Sequence, residues 1–193
     1  MVADPAVILA ISGSLRAESY NTELLAEAVS VAPPAARLVT WGDLVSIPAF
    51  SEDNENDAGP AVHALRAAIA GAGAVLIATP EYNGSLPGQL KNALDWASRP
   101  FPDNVLRDKP VAIIGASPSP GGTARAQTDA RKVLTAIGAR VLQAEVLVPH
   151  AYRQFDSTGR LVDDDLRHQL ERLVAELHTC GLTAGDETNA TAA

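Results

Sequence analysis

Apolar residues along this chain alternate between two patterns. Short runs rich in β-branched residues, AVILAI (6–11), ARLVTW (36–41), AVLIATP (74–80), PVAIIGA (110–116) and ARVLQAEVLV (139–148), are each followed by a longer stretch with apolar residues at helical spacing. Those stretches are NTELLAEAVSVA (21–32), PAVHALRAAIAG (60–71), GQLKNALDWAS (88–98), TARAQTDARKVLTAIG (123–138) and DDDLRHQLERLVAELHTCG (163–181). Five strand–helix pairs in succession predict an α/β domain in which one parallel sheet carries helices on both faces. The strands read as unbroken apolar runs, as expected when neither face of a sheet meets water.

Punctuation residues support these boundaries. Pro60 and Pro87 fall where a first-turn proline is tolerated, Gly138 and Gly181 follow helical stretches as stops, and Asp163, Asp164 and Asp165 crowd the start of the last helix, where the helix dipole favours negative charge. Leu166, Leu170, Leu173, Val174 and Leu177 make one apolar stripe on that helix, expected to pack on the sheet. The segment TAGDETNATAA (183–193) has no period and is expected to be a disordered tail. A single domain over 1–182 follows.

Composition narrows the class of partner. Of 193 residues 47% are hydrophobic and 20% charged, and the formal net charge is -8. A protein that neutralises nucleic-acid phosphates needs a basic face, so nucleic acid is excluded as a partner. The lone cysteine, Cys180, has no partner for an internal disulfide and reads as a small buried hydrophobe. The N-terminus lacks the pattern of a secretion signal and no apolar run is long enough to span a bilayer, which predicts a cytoplasmic protein without a membrane partner.

In open sheets of this kind ligands collect at the carboxyl ends of the strands, where the strand order reverses. Three loops lie there: SGSLRAESYN (12–21), TPEYNGSLPG (79–88) and ASPSPGG (116–122). The first has neither GxxxxGK[ST] nor GxGxxG, and no cysteine of the kind a phosphotyrosine phosphatase needs. It offers Ser14, Arg16, Ser19 and Asn21 around a helix start, a set suited to a terminal phosphate monoester. Ser19 or Asn21 serving only as a helix cap, with Arg16 solvated, is an equally available reading of that loop alone. In the second loop Glu81, Tyr82, Asn83 and Gly84 offer main-chain polar groups and one ring to a flat heterocycle, or simply form a tight turn that needs positive φ. Ser117, Gly121 and Gly122 stand in the third loop. Lys91 and Asp95 are spaced for a surface pair, and Trp96 is assigned either to the core or to a subunit contact.

Taken together, GSLRAESYN, PEYNGSLPGQLKNALDW and GGTARAQ make the chain resemble the NADPH-dependent FMN reductase family, which includes flavodoxin-like quinone, azo and chromate reductases. The resemblance runs over about residues 6–182 and extends to HAYRQFDSTGRLVDDD. It implies a flavodoxin-like doubly wound sheet of order 2-1-3-4-5. It further implies an FMN phosphate held by Ser14, Arg16, Ser19 and Asn21, with Leu15 and Tyr20 among them, and an isoalloxazine ring lying along Pro80, Glu81, Tyr82, Asn83 and Gly84. Ser117, Gly121 and Gly122 would close the other side of the ring. The implied activity is electron transfer by a ping-pong mechanism from NADPH or NADH, through FMN, to a quinone-like, azo, metal-oxyanion or free flavin acceptor. No protein acid or base and no metal is then required, and His63, His150, His168 and His178 are given structural or solvated roles. A homodimer or homotetramer, with contacts through the helix carrying Lys91 to Ser98 and the SRP segment that follows it, is likewise implied. An electron carrier or redox-sensing module without nicotinamide turnover is the competing reading, and the 4% aromatic content disfavours it.

Overall fold

Successive side chains of a strand point to opposite faces, and the first strand shows how this builds the molecule. Val7, Leu9 and Ile11 join one buried cluster, whereas Ile8 and Ala10 join another. The computed structural model describes residues 4–191. Its elements are β1 (Asp4–Ser12), α1 (Tyr20–Ser30), β2 (Arg37–Trp41), α2 (Pro60–Gly71), β3 (Ala72–Ala78), α3 (Gly88–Ala97), β4 (Pro110–Ala116), α4 (Ala124–Ile137), β5 (Arg140–Val148) and α5 (Asp164–Thr191). All neighbouring strands pair parallel, in the order β2-β1-β3-β4-β5.

Helices α2, α3 and α4 cover the face carrying Val75, Ile77, Val111 and Ile113. Helices α1 and α5 cover the other, against Leu76, Ala78, Ala112 and Ile114. On α5 the side chains of Leu170, Leu173, Val174 and Leu177 are wholly or almost wholly buried. At about 1.5–3 kcal/mol for each large apolar side chain, this stripe is what holds the helix to the sheet.

Helix ends follow their caps. Pro60 begins α2, and Gly138 closes α4 in the left-handed conformation at φ 98°. Gly181 does not end α5 as expected. It is buried, and the helix continues through it to Thr191, taking in most of the segment read as a tail. A glycine inside a helix costs only about 1 kcal/mol, and the absence of a side chain suits a buried position. Residues 192–193 lie outside the described residues.

The stretch between β2 and α2 has no regular period and forms two short 3-10 turns, Leu44–Ser46 and Glu52–Asp57. One face of α3 fastens it. Gln89 Nε2 donates to the carbonyls of Leu44 and Ile47 at 2.8 and 2.9 Å, Asn92 Nδ2 donates to Pro48 O at 2.8 Å, and Trp96 Nε1 donates to the same oxygen at 2.8 Å. Trp96, 1% exposed, therefore belongs to the core. Lys91 and Asp95 pair at 2.7 Å on the opposite side of the same helix.

Candidate functional site

Strand order reverses between β1 and β3, so the crevice beyond their carboxyl ends is bounded by the loops that leave β1, β3 and β4. Close backbone approach brings the first two together. Gly13 N donates to Ala78 O at 2.8 Å, and a Cβ at Gly13 would stand 2.8 Å from Leu90 Cδ2. A side chain at this position would have to displace the Leu90 methyl from where it packs.

Beyond Gly13 the chain forms a ring of hydroxyls at the N-terminus of α1. Ser14 N donates to Ser12 Oγ at 3.4 Å, Ser12 Oγ and Thr22 Oγ1 are 3.2 Å apart, and Arg16 N donates to Ser14 Oγ at 3.3 Å. Ser19 is the N-cap, its Oγ accepting from Asn21 N at 3.2 Å while its carbonyl takes the N–H groups of Thr22 and Glu23. Ser19 is 4% exposed, and among the described residues its hydroxyl donates to no protein acceptor. The main-chain N–H groups of Leu15, Ala17 and Glu18 meet no protein acceptor among the described residues. Arg16 is exposed, and among the described residues no carboxylate pairs with it. Hydroxyls, unspent N–H groups and a guanidinium at a helix N-terminus form an anion-binding donor set.

Two residues of that loop are employed elsewhere. Asn21 is 3% exposed, and its amide bonds the main chain of Ala116 twice, Nδ2 to O and N to Oδ1, both at 3.0 Å. Its side chain is thus engaged in holding α1 to β4, with one Nδ2 proton left over. Tyr20 turns its ring to the core and stacks on Phe155 at 5.9 Å. Leu15 projects outward, 54% exposed.

The second loop leaves the buried Pro80 and closes a two-residue hairpin. Tyr82 N donates to Ser85 O at 3.0 Å and Ser85 N to Tyr82 O at 3.1 Å, with Asn83 and Gly84 between them at φ 53° and 79°. Asparagine and glycine are the residues that tolerate this left-handed pair. Tyr82 is 48% exposed. The side chain of Glu81 points away from the crevice mouth, toward the start of α4, where Oε2 accepts from the N–H groups of Arg125 and Ala126 at 3.0 and 3.3 Å.

The third loop is knotted by its serines. Ser117 Oγ lies 3.1 Å from Ser119 Oγ, which donates to Gly122 O at 3.1 Å, and Ala151 N and His150 N bind the carbonyls of Ser117 and Ser119. Gly122 adopts φ 58°, whereas Gly121 is exposed with open space around it. Beneath this loop Gly115 is pressed between Thr79 and Thr123. His178 is buried on α5, while His63 and His168 are exposed.

Ser12 and Thr22 escape the sequence reading, although a hydroxyl at the end of β1 and another in the first turn of α1 are the signal that marks them. Among the described residues no group of His, Cys, Asp and Glu could hold a metal ion, and no helix is long and apolar enough to cross a membrane.

Residues 6–153 match the family model of NADPH-dependent FMN reductase. The chain belongs to that family. Membership makes it an oxidoreductase of flavin and nicotinamide chemistry. Among its relatives are an NAD(P)H-dependent FMN reductase of Pseudomonas aeruginosa, 43% identical over 91% of this chain and 95% of the relative, and a 2-hydroxy-1,4-benzoquinone reductase of a Burkholderia species, 39% identical over 85% and 90%. Among solved structures, the flavoenzyme NAD(P)H:(acceptor) oxidoreductase FerB of Paracoccus denitrificans superposes with a TM-score of 0.82 at 30% identity, covering 92% of this chain and 98% of that one.

Proposed function

We propose that this protein holds FMN in the crevice beyond β1 and β3 and passes two electrons from a reduced nicotinamide to a small quinone, yielding the hydroquinone. The observation that carries the reading is the donor set at the N-terminus of α1: Ser14 and Ser19 hydroxyls, the unspent N–H groups of residues 15, 17 and 18, and the unpaired guanidinium of Arg16. Such a set fits a phosphate dianion, and the positive φ hairpin that follows β3, the strand beside β1, suits the edge of a planar heterocycle.

Bound FMN would supply the two-electron redox chemistry that the protein's own side chains lack. The chain's task is placement. Ser14, Arg16 and Ser19, with Thr22 added to the expected residues, hold the phosphate, and the Asn21 amide holds α1 in register with the end of β4. The main chain of Tyr82 to Gly84 meets the ring edge, and the knotted Ser117 to Gly122 loop bounds its other side. Leu15 and Tyr82, both about half exposed, leave an apolar mouth through which a nicotinamide and then a flat quinone enter in turn. One shared mouth gives ping-pong kinetics, read as parallel lines in double-reciprocal plots. The names of the relatives from Burkholderia and Arabidopsis thaliana, a benzoquinone reductase and an NADPH:quinone oxidoreductase, support a quinone acceptor. An anaerobic reaction of the FMN-loaded protein with NADPH, followed by addition of a benzoquinone, tests it; a reduced flavin that the quinone fails to reoxidise would refute the acceptor.

The same reading includes a cytoplasmic homo-oligomer. A cleft of about 280 Å3 between α3 and α4, lined by Lys91, Asp95, Ser98, Phe101 and Val133, lies beside Phe101, which is 71% exposed. A second copy covering that face accounts for the exposed ring, and Phe101→Glu is expected to lower the mass found by sedimentation.

A further inference from the structure

Every ligand-facing loop of the crevice has its own internal bonds, yet the hairpin after β3 and the start of α4 are also joined to each other, through Glu81. Its side chain is 16% exposed, Oε2 accepts from Arg125 N and Ala126 N at 3.0 and 3.3 Å, and Oε1 lies 3.7 Å from Arg125 Nε. The carboxylate therefore caps a helix from outside that helix, where Thr123, the residue in cap position, makes no side-chain cap bond. Arg125, whose side chain is 79% exposed, passes close to Gly84: a Cβ there would stand 3.2 Å from one of its terminal nitrogens. Further along α4, the Ser85 hydroxyl lies close enough to Asp129 to hold that carboxyl below its ordinary pKa.

The consequence lies in what the two partners do. The hairpin 82–85 presents the main chain of Asn83 and Gly84, and α4 is the continuation of the Ser117 to Gly122 loop on the opposite flank of the crevice. A hairpin of two residues in left-handed conformation has one pair of cross-strand bonds and no sheet to lean on; its orientation is set by what it is tied to. Anionic side chains at a helix N-terminus are favoured by the dipole as well as by the N–H groups they satisfy. The tie is therefore a directed one, and it spans the two loops between which a planar ring would lie.

We propose that Glu81 is a positioning residue: it does not contact the cofactor but locks the 82–85 hairpin to α4, so that both flanks of the flavin site are held as one rigid unit. The proposal rests on the FMN reading above. It assigns to a carboxylate within the PEYNG motif a role distinct from the ring contact that the motif implies.

The test compares wild type with Glu81→Ala, Glu81→Gln and Ser85→Ala. Removal of the carboxylate is expected to raise the FMN dissociation constant about tenfold or more and to alter the visible circular dichroism of bound flavin, the loss of one charge-assisted acceptor serving two donors. Glu81→Gln keeps an acceptor oxygen for the two N–H groups and is expected to stay within about threefold of wild type with a native visible spectrum. A second readout needs no cofactor: in the FMN-free protein, amide hydrogen exchange at Arg125 and Ala126 is expected to quicken about tenfold in Glu81→Ala and not in Glu81→Gln. Should Glu81→Ala fail to fold, Ser85→Ala, which removes the hydroxyl beside Asp129, carries the same sign at about threefold. A Glu81→Ala protein that binds FMN as tightly as wild type with the same dichroism overturns the positioning role, as does a Glu81→Gln protein as impaired as the alanine variant. A wild type that takes up no FMN while protecting both amides instead overturns the flavin reading on which the proposal stands.

Discussion

The side-chain amide of Asn21 grips the main chain of Ala116 with both of its polar atoms, each at 3.0 Å. It thereby ties the first turn of α1 to the last residue of β4, 95 positions further along the chain, in a place where almost no water reaches. Asn21→Ala leaves a buried N–H and a buried carbonyl unpaired, at about 1–3 kcal/mol each. Urea unfolding of the FMN-free protein should report a loss of about 2–4 kcal/mol, whereas a change below about 0.5 kcal/mol would mean that water replaces the amide without cost.

Arg16 stands at the opposite extreme, exposed and without a carboxylate partner among the described residues. Arg16→Ala should leave urea unfolding unchanged and weaken FMN about ten- to a hundredfold, the range for a hydrogen bond to a charged group. Riboflavin, which lacks the phosphate, should bind wild type and variant alike. Equal losses for both ligands would place the arginine against the ring instead.

Gly115 is fixed by contact rather than by conformation. A Cβ at this position would stand 2.1 Å from Thr123 Oγ1 and 2.5 Å from Thr79 O, and the second of these is main chain and cannot swing aside. Gly115→Ala is expected to cost about 1–3 kcal/mol or more of stability, as overpacking does, and to displace the Ser117 to Gly122 loop. Paired measurements of unfolding and FMN affinity should both worsen.

A pH dependence is set by Lys109. Its ammonium donates to Ala72 O, and burial lowers its pKa from the ordinary 10.5. The unfolded chain therefore binds more protons than the folded one between that lowered pKa and 10.5, so this group makes stability rise with pH across that window. Below the window both states are protonated and the folded protein bears the desolvation cost in full. Lys109→Met should remove this rise and leave the protein at least as stable at neutral pH, as followed by thermal unfolding at pH 7 and pH 10.

How much of this was legible in the chain divides along the range of the interactions. Strands and helices follow from local periodicity and caps, and α2 begins and ends where PAVHALRAAIAG does because a first-turn proline and the return to an apolar run mark both ends. The asparagine and glycine of the hairpin were likewise readable, since few other residues accept two positive φ values in succession. The tie from Asn21 to β4 was not readable because nothing near it in sequence names Ala116 as its partner. Glu81 looked like part of a ring-binding loop because its partners, Arg125 and Ala126, lie 44 and 45 residues away. The three α3 side chains that fasten residues 44–50 have spacing visible in GQLKNALDW, yet their acceptors are carbonyls of an irregular segment without a pattern of its own. Gly181 misled for a different reason: burial on the sheet face outweighed a weak local preference to stop.

The central claim is that the crevice beyond β1 and β3 holds FMN and delivers nicotinamide electrons to it. Protein freed of flavin, reloaded with one equivalent of FMN and mixed with NADPH without air measures this in a single absorbance trace. The account predicts that the flavin band near its usual visible position bleaches with one equivalent of NADPH per site. Flavin that stays free in solution, or bound flavin that remains yellow under excess NADPH and NADH, would contradict it.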